Sequence, residues 1–420
     1  MSARLRTVTL GCKVNQYETQ LVREGLLRVG YLDAASDQPA DLCIVNTCTV
    51  TAEGDAKSRQ AIRRLHRQNP HAKIMVMGCY ATRAPGEIEQ LPGVAEVLRD
   101  KREIPDWLMR HGVVDVPRGV QRLDHRSRAY VKVQDGCLLR CSYCIIPAVR
   151  PHMYSRPLAE IVEEVRQIVD GGVREVVLTG IHLGHYGVDF NRGLPKAEWT
   201  RLATLVQRLC QLPGEFRVRL SSIEATEVSR ELLAVLAEHG ERVCPHLHVC
   251  LQSGSDVVLR RMRRRWGSKR FVDRCRLAAE QLELPALTTD VIVGFPGETE
   301  SDFEQTVEVC RTVGFSKIHA FPFSPRRGTA AAEMPEQIAP QLKAERMDRL
   351  LAVERELQAD YFRRLVGRRL RVLVESQTEG VARGTSCRYA PVEFPRTLES
   401  VGKLVDVVPT AWDPQGLAVR

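Results

Sequence analysis

Asp135-Gly136-Cys137-Leu138-Leu139-Arg140-Cys141-Ser142-Tyr143-Cys144 places three cysteines within ten residues. A loop this short can wrap three thiolates around one metal centre, and soft thiolates suit iron–sulfur clusters, zinc or copper(I). No fourth cysteine follows at short range. A 4Fe-4S cluster held here therefore keeps one iron open to something other than protein, by the logic that leaves a catalytic zinc an open position. Two plainer readings stand beside this one: a zinc site completed by a distant histidine such as His152, and three unrelated buried thiols. The surroundings favour the cluster, because the loop follows a β-like run at residues 129–133 and precedes repeated strand–helix units.

Those units continue downstream. Strand-like runs at residues 130–133, 175–178, 217–220, 246–251, 289–293 and 317–320 alternate with helix-patterned segments at 158–169, 201–209, 231–238, 269–281 and 300–313. This alternation predicts a partial (β/α)6 barrel. Cys210, Cys275 and Cys310 fall in or at the ends of the helices and read as core thiols. Cys250 lies on a strand whose end is expected to face the active-site mouth.

Upstream, residues 7–10, 42–45 and 74–77 read as strands separated by helical patterns at 15–29 and 56–68, which predicts a parallel, doubly wound sheet. A cysteine follows each strand almost at once, in Leu10-Gly11-Cys12, Asn46-Thr47-Cys48 and Met77-Gly78-Cys79. Ligands of open α/β sheets sit outside the carboxyl ends of the strands, so these thiols can converge as a second triad. Cys43 stands inside a strand and reads as core. After the barrel pattern, residues 339–364 read as one long helix of mixed charge. The tail has short strands at 370–374, 380–383, 390–394 and 404–408, of a size suited to an OB-like barrel that binds oligonucleotides or serves as a cap.

The chain is expected to be α/β and multidomain. Residues 1–120 form the doubly wound sheet, 127–338 the partial barrel, 339–366 a bridging helix and 367–420 the small all-β barrel. With 420 residues, 44% hydrophobic and 27% charged, it falls among globular proteins long enough for two or three domains. No apolar run reaches membrane-spanning length and the N-terminus lacks a signal-peptide core, so a cytoplasmic location without a membrane partner is expected. Thirteen cysteines, an odd number, suit metal ligands plus core thiols better than a disulfide framework. A net charge of +9 leans towards a polyanionic partner. Arg260, Arg261, Arg263, Arg264 and Arg265 beside Trp266, and Arg59, Arg63, Arg64 and Arg67 at helical spacing, add to that lean.

The C-x3-C-x2-C loop with an aromatic before its last cysteine resembles the radical S-adenosylmethionine (SAM) superfamily. The layout as a whole resembles its methylthiotransferase family. The segments that carry this are Gly11-Cys12-Lys13-Val14-Asn15-Gln16-Tyr17-Glu18, Asn46-Thr47-Cys48-Thr49-Val50-Thr51, Gly78-Cys79 and Cys144-Ile145-Ile146-Pro147. They continue with Leu178-Thr179-Gly180-Ile181-His182-Leu183-Gly184, Leu220-Ser221-Ser222-Ile223-Glu224, Leu251-Gln252-Ser253-Gly254-Ser255 and Val293-Gly294-Phe295-Pro296-Gly297-Glu298-Thr299. The tail is similar to the RNA-binding TRAM domain.

This resemblance implies two 4Fe-4S clusters and SAM. Cys137, Cys141 and Cys144 would hold the radical-SAM cluster, and Cys12, Cys48 and Cys79 an auxiliary cluster that supplies sulfur. Tyr143, Thr179, Gly180, Ser221, Gln252, Ser253 and Gly294 are the implied SAM contacts, with His182 and Glu224 as further candidates. Partners would be tRNA, a one-electron reductant and a sulfur donor. Members differ in substrate: isopentenyladenosine in tRNA, threonylcarbamoyladenosine in tRNA at position 37, or an aspartate of a ribosomal protein. The opening motif, residues 179–184 and residues 319–324 most resemble the threonylcarbamoyladenosine branch. A different class, an iron–sulfur RNA-binding or redox-sensing protein without turnover, fits the barrel signatures less well. Leu138-Leu139 replace two asparagines common in the family, Pro151 replaces a glycine, and Cys250 replaces a proline.

Overall fold

The computed structural model describes residues 2–117, 119–120, 127–396 and 401–420. The junction at 121–126 between the first two expected segments, and residues 397–400 of the tail, lie outside the described residues. The chain forms two compact units. The first takes residues within 1–122, 130–164 and 324–332, and the second takes 123–129, 165–323 and 333–420.

In the first unit, strands Leu32–Asp33, Arg4–Thr9, Leu42–Thr47, Lys73–Gly78 and Val94–Val97 lie side by side in that order, all parallel. In chain order this is 2-1-3-4-5, the flavodoxin-like doubly wound arrangement. The central strand Leu42–Thr47 is buried along its whole length, as a parallel strand covered on both faces must be. Its alternation divides two cores. Leu42 and Ile44 join Leu5, Val22, Leu26 and Trp107, while Cys43 and Val45 join Ile62, Leu65, Ile74 and Tyr80. Cys43 is thus core, as expected. Helix Lys13–Arg28 begins at residue 13, and helix Ala52–Gln68 is capped by Thr51, whose hydroxyl accepts the Gly54 N–H at 3.1 Å. The same unit holds the Cys137 loop and the last part of strand Arg128–Asp135, which pairs antiparallel with Tyr154–Ser155. The edge strands Leu32–Asp33 and Val94–Val97 were absent from the sequence reading because neither has a run of alternating apolar residues.

In the second unit, Glu175–Gly180 pairs parallel with Arg217–Leu220. Ser222–Ile223, His246–Val249, Ala286–Val293 and Lys317–Pro322 form a parallel sheet. Helices Leu158–Asp170, Leu202–Cys210, Arg230–Glu238, Ser268–Gln281 and Glu300–Val313 alternate with these strands, all close to their expected bounds. The last is closed by a Thr299/Asp302 capping box and by Gly314 in the left-handed region. Cys275 and Cys310 are buried, and Cys210 is half-buried. Strand His246–Val249 stops one residue short of Cys250, which therefore sits on the turn rather than on the strand.

The tail forms a six-stranded, mostly antiparallel sheet. Its core residues Leu370, Val372, Val374, Val392 and Phe394 pack with Ala286 and with Tyr361, Phe362 and Leu365 of helix Pro340–Leu365. Two buried arginines tie it further. Arg217 donates to the carbonyls of Arg371 (2.5 Å) and Thr385 (2.8 Å), and Arg219 to those of Ser386 (3.0 Å) and Cys387 (3.2 Å). Glu175 neutralises both. Burial alone would raise its carboxyl, but Arg219, Arg217 and Arg128 hold it well below the usual range. No helix among the described residues is long and apolar enough to cross a membrane.

Candidate iron–sulfur and SAM site

The parallel register brings the dispersed cysteines together. Thr9 pairs with Asn46, Asn46 with Met77 and Thr47 with Gly78, so Cys12, Cys48 and Cys79 all leave the same edge of the sheet. The chain reverses its strand order between the first two of these strands, the position at which open sheets bind ligands. Two glycines make the approach possible. Gly11 has φ +96°, and a Cβ there would stand 3.0 Å from Cys48 Cβ and 3.2 Å from its Sγ. Gly78 has φ +102°, and a Cβ would meet Asn46 Oδ1 at 2.3 Å. Only glycine tolerates both demands.

Cys12 sits at the N-cap of helix Lys13–Arg28, where the helix dipole favours a thiolate. Desolvation raises the Cys12 thiol although part of its surface stays open, and the Arg150 guanidinium opposes that rise. Desolvation likewise raises Cys48; the backbone N–H of Val50 opposes it, while Cys79 and Cys12 add to it. Three thiols that disfavour one another's charge become thiolates together only around a strong cation, and an all-sulfur donor set suits an iron–sulfur cluster. The residues fit the auxiliary group.

The contiguous triad is built differently. Gly136, at φ +73°, turns the chain out of its strand so tightly that a Cβ would lie 2.2 Å from the His152 carbonyl oxygen. Gln134 spans the turn, donating to the carbonyls of Asp135 (2.8 Å) and Gly136 (2.7 Å). The Cys144 N–H bonds the Cys141 carbonyl at 3.1 Å, and the Ala331 N–H bonds the Ser142 carbonyl at 2.8 Å. Cys137, Cys141 and Cys144 are each half-buried, as is Tyr143, and the Leu138 side chain is exposed. Three half-buried thiols on one pinned loop fit a cluster with a free coordination position.

The implied SAM contacts lie at strand ends of the second unit. Thr179 and Gly180 end one strand, and Ser221 follows its neighbour, its N–H bonded to the Leu178 carbonyl at 3.0 Å. Ser221 is buried, and its hydroxyl has no hydrogen-bond partner among the described residues, which leaves it open to a ligand. Gln252 is held at φ +67° between Asp290 and Ile292 by backbone hydrogen bonds. Ser253 turns inward, its hydroxyl 3.3 Å from that of Thr306 and accepting the Ser255 N–H. The Gly294 N–H is taken by Glu298, which Arg346 anchors at 2.8 Å. Glu224 receives Arg264 and the Trp266 Nε1–H, so Arg264 is consumed inside the fold. Arg260, Arg261, Arg263 and Arg265 remain exposed. The basic segment expected to face RNA is to that extent a correction.

The structure also gives the candidate His182 and the singled-out Cys250 partners that the sequence did not point to. His182 stacks on His185 at 3.5 Å and pairs with Glu227 at 3.3 Å. Desolvation, then His182, lowers His185 to about 4. His248 pairs with Asp290 at 3.3 Å, beside Cys250. In the first unit, Arg150, Glu18, Asp135 and Lys132 form a buried ion network. Arg326 reaches Thr49 and Asp55, and Asp55 also holds Arg83 at 2.8 Å. The available signal was charge placed beside cysteine: Glu18 six residues after Cys12, Asp135 two before Cys137 and Arg150 six after Cys144.

With these geometries in hand, known proteins can be compared. A profile of the Radical SAM superfamily matches residues 131–310, and one of the uncharacterized protein family UPF0004 matches residues 4–99. The chain is 38% identical to the threonylcarbamoyladenosine tRNA methylthiotransferase MtaB of Bacillus subtilis, over 95% of this chain and 92% of that one. It is 39% identical to the MtaB of Chlamydia pneumoniae, over 93% and 91%. The chain belongs to the MtaB methylthiotransferase family. Among solved structures, the radical SAM methyltransferase TsrM of Kitasatospora setae superposes with a TM-score of 0.54 at 16% identity, covering 79% of this chain and 75% of that one, a likeness of fold. Membership in the MtaB family makes the chain a radical SAM enzyme and brings with it 4Fe-4S clusters and SAM as cofactors.

Proposed function

We propose that this protein adds a methylthio group to carbon two of threonylcarbamoyladenosine beside the tRNA anticodon. Cys137, Cys141 and Cys144 would hold the cluster that binds SAM, and Cys12, Cys48 and Cys79 the auxiliary cluster. The bound groups supply reductive cleavage of SAM, the inserted sulfur and its methyl group. The protein's own part is positional. Gly11 and Gly78 permit the close approach of the auxiliary loops, and Gly136 and Gln134 pin the other loop. Tyr143, Thr179, Gly180, Ser221, Gln252, Ser253 and Gly294 would contact SAM, with the Ser221 hydroxyl as the buried donor left open for it. A carbon-bound hydrogen on adenine is beyond acid–base chemistry, so these walls must also keep water out.

The observation that carries this reading is the second triad: three thiols converging at a strand switch, in the same compact unit as the contiguous cysteine loop. A second iron–sulfur centre at that place gives the sulfur insertion its source. Exposed Arg260, Arg263 and Arg265 and the TRAM-like C-terminal sheet would meet tRNA phosphates, making binding salt-dependent. The enzyme would work in the cytoplasm with a one-electron reductant and a sulfur donor.

The test is anaerobic reconstitution, iron counting and mass analysis of nucleosides from tRNA incubated with SAM and reductant. About eight irons per chain and 2-methylthio-threonylcarbamoyladenosine are expected. A methylthio group on isopentenyladenosine or on a ribosomal protein instead would overturn the substrate, and about four irons would overturn the auxiliary site.

A further inference from the structure

The buried ion network of the first unit links the two cysteine triads. Arg150, whose side chain is 2% exposed, donates through Nη1 to Glu18 Oε1 (2.8 Å) and Asp135 Oδ1 (2.7 Å), and through Nη2 to Glu18 Oε2 and Asn15 Oδ1 (both 2.9 Å). Asp135 also accepts the Gly136 N–H at 2.8 Å, one residue before Cys137. Asn15 in turn donates to the carbonyls of Leu10 (2.9 Å) and Thr47 (3.0 Å), which immediately precede Gly11-Cys12 and Cys48. The Asn15 oxygen that Arg150 holds lies 3.9 Å from Cys12 Sγ. Lys132 balances the charge, reaching Glu18 at 3.1 Å and Asp135 at 2.9 Å. A single guanidinium thus bonds directly to the carboxylate that sets one cysteine loop and to the amide that sets the other.

One atom of that guanidinium is left over. Arg150 Nε is buried and has no hydrogen-bond partner among the described residues, and the group lies within electrostatic reach of Cys79 and Cys12. A buried N–H of a charged group without an acceptor is costly. Sulfur of an iron–sulfur centre is an acceptor whose hydrogen bonds and local charge set the potential of the cluster.

We propose that Arg150 is a positioning residue for sulfur insertion: it locks the two cysteine loops in one register, and its Nε–H serves the sulfur of the auxiliary centre. Glu18 and Asp135 hold the guanidinium through its fork, and Lys132 balances their charge, which leaves Nε free of both carboxylates. Register-setting is the best-attested use of a buried ionic network, which otherwise contributes little net stability. The proposal rests on the auxiliary-cluster reading above.

The test compares Arg150→Lys with the charge-balanced double variant Arg150→Gln/Glu18→Gln, each reconstituted as the full chain. Readouts are iron content, the midpoint potential of the auxiliary cluster by EPR-monitored titration, and the ratio of methylthio nucleoside to 5′-deoxyadenosine. In the double variant the net charge is kept but the Nε–H is lost, so the potential is expected to move negative and the ratio to fall roughly ten-fold while SAM cleavage persists. Arg150→Lys keeps a cation at this position but loses the fork and the Nε–H, so the ratio falls while the potential moves less; this variant decides the matter if the double one fails to fold. A wild-type potential and ratio in either folded variant overturns the proposal, as does equal loss of cleavage and product with an unmoved potential. If the wild-type protein itself makes no methylthio nucleoside, the substrate reading fails, and the potential alone judges Arg150.

Discussion

Two cysteine triads in one compact unit are made in opposite ways. Cys137, Cys141 and Cys144 belong to one loop, held by its own turn, by Gln134 and by the Ala331 N–H. Cys12, Cys48 and Cys79 come from three strands, and they meet because the register of a parallel sheet brings residues 11, 48 and 78 to one edge. The first triad depends on local geometry and tolerates change in the rest of the sheet. The second has no local geometry at all, and everything that holds the sheet in register also holds its three thiols in place. The contrast extends to the glycines. All three glycines yield to a neighbouring segment, but Gly136 yields to His152 beside its own loop, whereas Gly11 and Gly78 yield to Cys48 and Asn46 of another strand's end.

Substitutions can break this comparison, starting with the largest effect. Cys137→Ala, Cys141→Ala or Cys144→Ala should abolish SAM cleavage, read as 5′-deoxyadenosine, and remove about four irons of about eight. Cys12→Ala, Cys48→Ala or Cys79→Ala should remove a similar amount of iron and block thiolation yet leave SAM cleavage; persistent thiolation would refute the auxiliary role. Arg326→Gln removes one of the two cations that hold the buried Asp55, Arg83 being the other, and should lower stability by about 2–3 kcal/mol in denaturant titrations. Gly78→Ala must strain φ and displace Asn46, costing about 2–3 kcal/mol, with thiolation falling more than SAM cleavage. The smallest change expected is Leu138→Asn. This side chain is 54% exposed, so stability should stay within about 0.5 kcal/mol and iron content should not move. Loss of iron there would show that the contiguous loop is less self-contained than its hydrogen bonds imply.

The second unit differs again. Its tail sheet, patterned in sequence as a separate small barrel, shares a core with helix Pro340–Leu365 and is bound through carbonyls to Arg217 and Arg219 on a barrel strand. Alternating Leu370, Val372 and Val374 announced the strands and their inward face. Nothing in that alternation could announce that the acceptors for two buried arginines would be backbone oxygens, which every residue offers alike. The same limit hid the partners of Arg264 and Arg326. A run of arginines reads as surface until the fold shows which one faces a carboxylate.

Sequence by itself determined the main elements and the two groups of candidate cysteines. Apolar periodicities of two and of 3.6 residues placed the longer strands and helices but not short elements such as Leu32–Asp33, Val94–Val97 and Asp256–Arg261, and cysteine spacing announced the contiguous triad, because both signals are properties of neighbouring residues. The strand-end cysteines were legible for the related reason that a parallel sheet delivers its carboxyl ends to one edge. Tertiary structure alone decided the rest: that Arg150 spans both cysteine loops, that Ser221 keeps an open hydroxyl while Ser253 and Gly294 are engaged inside the fold, and that Cys250 lies off its strand beside His248 and Asp290. Pairings between residues far apart in the chain leave no periodic trace. They exist only once burial removes water as the competing partner.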